Sequence, residues 1–233
     1  MTFSESDRDL LRSGLEQLEL PDGPEELEWY ERYIRELQLW NRRVRLISGS
    51  PRDIVIRHIL DSLAPWKLLR REMERLSGAK GSSDVSIADV GSGNGFPALV
   101  LAGLSARKLL PPAHYYLVER GAKKAAFLRS TAGLLGLYET VRVEETDVRQ
   151  LQRRVDLVVS RAFMPLGDAV PLLVPLLGTA QGPILFYAGR RQTIETEIAR
   201  LANLHKFEYE NEPVCVPFLD EERHLCRFYM PLR

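Results

Sequence analysis

Two cysteines in 233 residues, Cys215 and Cys226, are too few for a disulfide framework or a four-ligand zinc site. They are close enough to face each other across a hairpin, but in a reducing compartment buried free thiols are expected. No apolar run approaches the ~20 residues that span a bilayer, so no membrane partner is expected. The start, Met1-Thr2-Phe3-Ser4-Glu5-Ser6-Asp7, is acidic and lacks a basic-then-apolar signal region, which predicts a cytoplasmic location. Acidic and basic side chains balance at 32 each, so no global basic field advertises nucleic acid. Internal repeats and low-complexity tracts are also absent. What is present, 45% hydrophobic and 27% charged residues, suits one globular unit with a modest extension.

The charges are unevenly placed. The first forty or so residues are acidic, whereas residues 41–58 carry Arg42, Arg43, Arg45, Arg52 and Arg57 against Asp53 alone. Such a patch suits phosphate, and equally a solvated face. Helical spacing predicts a helix over 4–19, capped by Ser4 or Ser6, and another from Glu25 to Val44 with Leu27, Tyr30, Tyr33, Ile34, Leu37 and Trp40 on one face. Two more are predicted over Pro51–Ser62 and Pro65–Leu76, then a flexible linker from Ser77 to Ser83. Residues 1–83 thus read as a helical extension with linker, and 84–233 as the core, packed as one unit. Beyond residue 84 the period changes. Short apolar runs (85–90, 115–119, 141–144, 155–160, 183–187) alternate with helices, which implies parallel strands joined by crossovers. Residues 207–216 and 224–231 have only a loop between them and suggest an antiparallel pair at the sheet edge. The expected fold is α/β and Rossmann-like, with about seven strands, mostly parallel, and a reversed strand at the edge.

The chain is organised around Asp89-Val90-Gly91-Ser92-Gly93-Asn94-Gly95-Phe96-Pro97. A strand runs into three alternating glycines and then a helix start at Ala98. Glycine lets backbone turn sharply and lie against a ligand, and the helix N-terminus beyond offers free amides. The third glycine comes one residue too early for the dinucleotide fingerprint Gly-x-Gly-x-x-Gly. The pattern instead resembles motif I of S-adenosylmethionine (SAM)-dependent methyltransferases, which implicates Asp89, Gly91, Gly93 and Gly95 in holding SAM. Glu119, at the end of the next strand, is placed to accept from ribose hydroxyls, and Asp147, after the third strand, from the adenine amine. Lys123 and Lys124 open the helix after Glu119, and Arg161 ends the fourth strand, where it would border methyl transfer.

Several segments carry a closer resemblance. Trp40-Asn41, Arg57-His58-Ile59-Leu60-Asp61-Ser62, the glycine motif with its Gly95-Phe96-Pro97 ending, Leu117-Val118-Glu119 with Lys123-Lys124, Ser160-Arg161-Ala162 and Glu222-Arg223-His224-Leu225 are similar to the GidB/RsmG family. That resemblance implies SAM-dependent methylation of guanine N7 in bacterial small-subunit ribosomal RNA, with the RNA or the 30S subunit as partner. Separately from the resemblance, no metal and a monomer are expected. Carried over by position, Gly91, Phe96, Thr146, Asp147 and Arg161 would be ligand-site residues. The chain departs from the family pattern at Arg45-Leu46-Ile47, at Glu145-Thr146-Asp147 and at Ala188-Gly189. Arg45, Arg190 and Arg191 are candidate replacement phosphate contacts.

Guanine N7 carries an in-plane lone pair and no proton, so the implied reaction needs positioning rather than a general base. His58, Asp61 and Arg161 are the candidate catalytic residues, the carboxylate as a counter-charge for the cationic product. Arg42, Arg43, Arg45, Arg57, Lys123, Lys124, Arg190 and Arg191 are the candidate RNA contacts. The rival readings are a methyltransferase with another acceptor, a SAM-binding regulatory protein without turnover, and a dinucleotide oxidoreductase.

Overall fold

The structure, a computed structural model, describes residues 3–81, 84–179, 182–202 and 207–229. Helix α1 (Glu5–Gln17) begins at Ser4, whose hydroxyl accepts from the Asp7 amide while the Asp7 carboxylate accepts from the Ser4 amide. This reciprocal cap satisfies two amides that the first turn leaves open. Helix α2 (Pro24–Asn41) places Pro24 in its first turn, where a missing N–H costs nothing. Ser50 and Asp53 repeat the reciprocal cap at α3 (Pro51–Ile54). That helix widens into a π-helical segment, Val55–Leu60, before a short α4 (Asp61–Leu63). The sequence pattern predicts plain helix there.

Helix α5 (Trp66–Lys80) corrects another expectation. The linker expected from Ser77 is helical through Lys80, because Leu69, Met73 and Leu76 bury one stripe. Lys80 Nζ also pairs with Asp156 Oδ2 at 2.8 Å, which anchors the last turn. Gly81, left-handed at φ 62°, ends it. Ser82 and Ser83 lie outside the described residues, as do Met230 and Pro231 at the end of the expected last strand.

The strands are β1 (Val85–Val90), β2 (Ala113–Val118), β3 (Val141–Glu144), β4 (Leu157–Arg161), β5 (Pro183–Ala188), β6 (Glu208–Pro213) and β7 (His224–Tyr229). Helices α6 (Ala98–Ala106), α7 (Ala122–Leu134), α8 (Leu166–Leu173) and α9 (Arg191–Ala202) connect them. Among the described residues they form one seven-stranded sheet in the order β3-β2-β1-β4-β5-β7-β6. Strands β1 to β5 pair in parallel; β7 runs antiparallel to both β5 and β6. The antiparallel pair therefore lies at the sheet edge. From β1 the chain goes outward to β2 and β3, and from β4 outward to β5. The crevice at the carboxyl ends of β1 and β4 is thus the switch point at which such sheets bind ligands.

Alternation along the strands feeds two cores. Ile87, Tyr115, Leu157 and Leu185 bury against one layer together with α1 to α7. Ala88, Val158, Ile184 and Phe186 bury against α8 and α9. The N-terminal helices thus share a core with the sheet, and Trp29 Nε1 donates to Leu135 O at 3.1 Å. The expectation of two buried thiols holds for one: Cys226 is buried in β7, whereas Cys215 is exposed in the loop before it, and both are free.

Candidate active site

Strand β1 delivers its carboxyl end to the glycine loop. Gly91 (φ 76°) and Gly95 (φ 86°) hold conformations that side chains disfavour. A Cβ on Gly91 would run into the Phe163 ring, and one on Gly95 would meet Leu99 and stand 2.6 Å from the Tyr33 hydroxyl. Glycine is needed there for close approach as well as for its torsion angles. Helix α2 supports the loop from below. The Tyr33 hydroxyl donates to Asn94 O at 2.6 Å, and its ring stacks on Phe96 at 4.9 Å. The Asn41 amide holds the backbone of Leu46 and Ile47, and Leu46 O in turn accepts from Asn94 Nδ2 at 3.5 Å. Asp89 is 1% exposed, and its Oδ2 lacks a partner among the described residues. Burial raises its pKa to about 7, an effect that the Ser92 hydrogen bond and the Arg161 charge only partly offset.

A cleft of about 300 Å³ opens beside the loop, with Gly91, Glu119, Lys124, Asp147, Ala162 and Phe163 in its wall. Glu119 Oε2 accepts from the Gly93 amide at 3.0 Å and Oε1 from the Gly121 amide at 2.7 Å, which ties the end of β2 to the glycine loop. Each oxygen keeps further lone-pair capacity toward the cleft. Asp147 Oδ1 accepts from the Arg149 amide at 2.9 Å, which fixes the carboxylate at the rim. Thr146 stands next to it outside the wall, its hydroxyl donating to Asp147 O at 3.4 Å. Gly93, Gly95 and Phe96 build the loop behind the wall.

A second cleft, of about 500 Å³, shares Ala162 with the first. It brings together His58 and Asp61, on adjoining helical segments, with Arg161 at the end of β4. The Arg161 side chain is 14% exposed. It donates to Arg57 O (2.8 Å), Ser62 Oγ (2.9 Å) and His58 Nδ1 (2.9 Å), and it faces Asp61 Oδ2 at 3.3 Å. Arg223 Nε lies 3.2 Å from the other Asp61 oxygen. Burial pushes the Asp61 carboxyl up, against the pull of these two arginines. His58 goes the other way: burial first, then Arg161, lowers its pKa to about 3, so the ring is neutral at ordinary pH. Ala162 sits at φ 54°, unusual for alanine, and lets the chain turn between the clefts.

The candidate RNA contacts fall in separate places. Arg42, Arg43 and Lys123 line a third cleft, of about 520 Å³, with Leu39 and Trp40. Arg45, Arg190 and Arg191 are exposed, and the Arg191 amide donates to Glu222 Oε2 at 2.9 Å. Arg57 lines the second cleft, but its guanidinium lies 2.6 Å from Glu221, a contact that raises its pKa. Lys124 belongs to the first cleft. Sequence reasoning missed Tyr33, Phe163 and Tyr187, whose hydroxyl donates to Ser62 O at 3.0 Å. Ser62 and Arg223 stand in matched segments, so their presence was visible without their roles.

Comparison with known proteins agrees with this geometry. Residues 26–226 match the family model described as rRNA small subunit methyltransferase G, GidB. A protein named Ribosomal RNA small subunit methyltransferase G from Leptothrix cholodnii is 33% identical over 94% of this chain and 94% of its own. One of the same name from Bordetella pertussis is 32% identical over 92% of this chain and 90% of its own. A ribosomal protein L11 methylase from Lactobacillus delbrueckii shares the fold, with a TM-score of 0.52 at 17% identity over 80% of this chain and 83% of that one. A magnesium protoporphyrin IX methyltransferase from Synechocystis, solved with bound SAM, reaches a TM-score of 0.50 at 13% identity over 96% of this chain and 97% of that one. The glycine loop at the switch point, the carboxylates facing it and the match over most of the chain lead to one assignment: this chain belongs to the GidB family of ribosomal RNA small subunit methyltransferases.

Proposed function

We propose that the chain transfers the methyl group of SAM to N7 of a guanine in small-subunit ribosomal RNA. The observation that carries the reading is the junction at Ala162: a cleft with the features of a nucleoside site shares this wall residue with a second, cation-lined one. The first cleft fits SAM. Gly91 brings bare backbone to its wall, Glu119 offers carboxylate lone pairs for ribose hydroxyls, and Asp147 stands as an acceptor for an adenine amine. The unpartnered Asp89 Oδ2 is a buried acceptor behind the same loop. SAM when bound supplies an electrophilic methyl on a sulfonium. The chain's own residues then have to orient and shield. Phe163 closes the wall against Gly91, and Arg161 fixes His58, Ser62 and the Asp61 carboxylate around the acceptor cleft. Asp61 is the counter-charge nearest a cationic guanine product in that cleft.

Arg42, Arg43, Arg45, Lys123, Lys124, Arg190 and Arg191 supply phosphate contacts in this reading, and Arg57 joins them on release from Glu221. A cytoplasmic monomer with the helical extension and core folding as one unit belongs to the same proposal. The test is transfer from radiolabelled SAM to small-subunit ribosomal RNA, naked and as 30S subunits from a strain lacking the modification. Label on one guanine that renders the strand cleavable by borohydride and aniline supports N7. With SAM binding established, absence of label on both forms refutes the acceptor.

A further inference from the structure

We propose that His58 reads the carbonyl edge of the acceptor base: its Nε2–H donates to O6 of the guanine, so that the cleft accepts a 6-oxopurine and turns away a 6-aminopurine. The inference rests on the guanine N7 reading above and names what selects the base.

The argument starts from Arg161. A guanidinium has donors and no acceptor, so His58 Nδ1, 2.9 Å from Arg161 NH2, must accept. The imidazole proton is then on Nε2. Burial and the neighbouring arginine disfavour a second proton, which keeps that tautomer at ordinary pH. The ring is clamped: it lies tilted over Phe96 at 5.5 Å, and Arg161 also holds the carbonyl of Arg57, one residue earlier. Nε2 has no partner among the described residues. Nor is it one of the buried side-chain atoms that lack a hydrogen-bond partner among the described residues. His58 is part of the wall of the acceptor cleft, which is the space that its one N–H can serve. His58 lies in the π-helical segment, whose Ile56, Ile59 and Leu60 stay in the core.

Chemistry then selects the base. On guanine, N7 and O6 are adjacent acceptors on one edge; on adenine, N7 is flanked by the N6 amino donor. A base that offers N7 to the methyl donor therefore presents O6 or N6 beside it. A fixed N–H meets O6 with a hydrogen bond and N6 with donor against donor. Sites that leave a polar group unpaired with the wrong partner discriminate more strongly than shape alone.

The experiment uses the whole protein and small-subunit RNA carrying guanosine or 2-aminopurine riboside at the methylated position; the analogue keeps N7 and lacks O6. Wild type is expected to prefer guanosine by about tenfold or more in kcat/KM, the worth of one hydrogen bond to a fixed donor. His58→Gln places an amide N–H at the Nε2 position, whereas His58→Asn places its amide at the Nδ1 position. The preference should persist in His58→Gln and fall toward one in His58→Asn, with SAM affinity held in both. A packing role would lower turnover on both substrates alike. Equal preference in wild type and both variants overturns the assignment of O6 to His58 while leaving guanine methylation standing. Wild-type label on a base other than guanine overturns both.

Discussion

Replacing Arg161 by methionine keeps most of the side-chain volume and removes every donor. Five acceptors lose this partner: Arg57 O, His58 O, Ser62 Oγ, His58 Nδ1 and Asp61 Oδ2. Breaking a buried pair by deleting one member costs about 3–5 kcal/mol, because a charge is stranded in a poorly solvated place. Two features pull the figure to the low end. Arg223 stays on the other Asp61 oxygen, and the cleft, whose wall includes Arg57 and His58, admits water to the two freed backbone carbonyls. A loss of about 3 kcal/mol is expected, a large share of the roughly 5–15 kcal/mol that hold a protein folded. Urea unfolding measures it, and Asp61→Asn supplies the control. With Arg161 gone, neutralising Asp61 removes the stranded charge, so the double variant should be more stable than Arg161→Met alone by about 1 kcal/mol or more. A single-variant cost below about 1 kcal/mol, or strictly additive single costs, would refute the view of Arg161 as the buried tie of the acceptor cleft.

Gly91→Ala adds left-handed strain of about 1–2 kcal/mol and displaces Phe163, so SAM affinity by calorimetry should fall at least about tenfold in a protein that still folds. For Asp89, whose pKa is raised by burial to about 7, the folded state binds the proton that the unfolded state has already released. Its stabilising contribution is complete below the ordinary carboxylate range and is lost as pH rises toward 7 and just above, so urea midpoints should decline from pH 5 to pH 8, less steeply in Asp89→Asn. Truncation of residues 1–83 strips Leu27, Tyr33, Ile34 and Leu37 from the shared core, and circular dichroism of the remainder should show no cooperative melt. Alanine at Arg42, Arg43 and Lys123 should weaken RNA binding and make the slope of log K against log salt shallower by about 2, for roughly three phosphates lost; an unchanged slope would remove that cleft from the RNA surface.

What sequence made legible was the part written in local pattern. The switch from helical to alternating periods at residue 84 announces the sheet, and the spacing of Gly91, Gly93 and Gly95 marks its working loop. The acceptor cleft depends on pairs far apart in the chain. Arg161 reaches residues about a hundred positions earlier, and Tyr187 reaches Ser62. No periodicity encodes those contacts. Arg161 therefore read as a residue bordering methyl transfer, whereas the fold engages both of its terminal nitrogens with the helical layer. The π-helical turn was hidden for a related reason: Val55 to Leu60 has ordinary helix composition, and the wider turn shows only in what the segment packs against. Ser77 to Lys80 misled in the opposite sense, since small residues suggested slack where the Lys80–Asp156 pair holds a helix.

The contact between helix α2 and the glycine loop has a spectroscopic consequence. All three tryptophans, Trp29, Trp40 and Trp66, lie in the N-terminal helices, and the chain from residue 84 onward has none. Trp29 sits edge-on to Tyr33 at 6.3 Å, and Tyr33 holds the loop through Asn94. The Trp29 share of the emission therefore comes from the layer beneath the loop. Occupation of the loop should change that emission without any label, giving an optical titration in which the signal arises outside the pocket being filled.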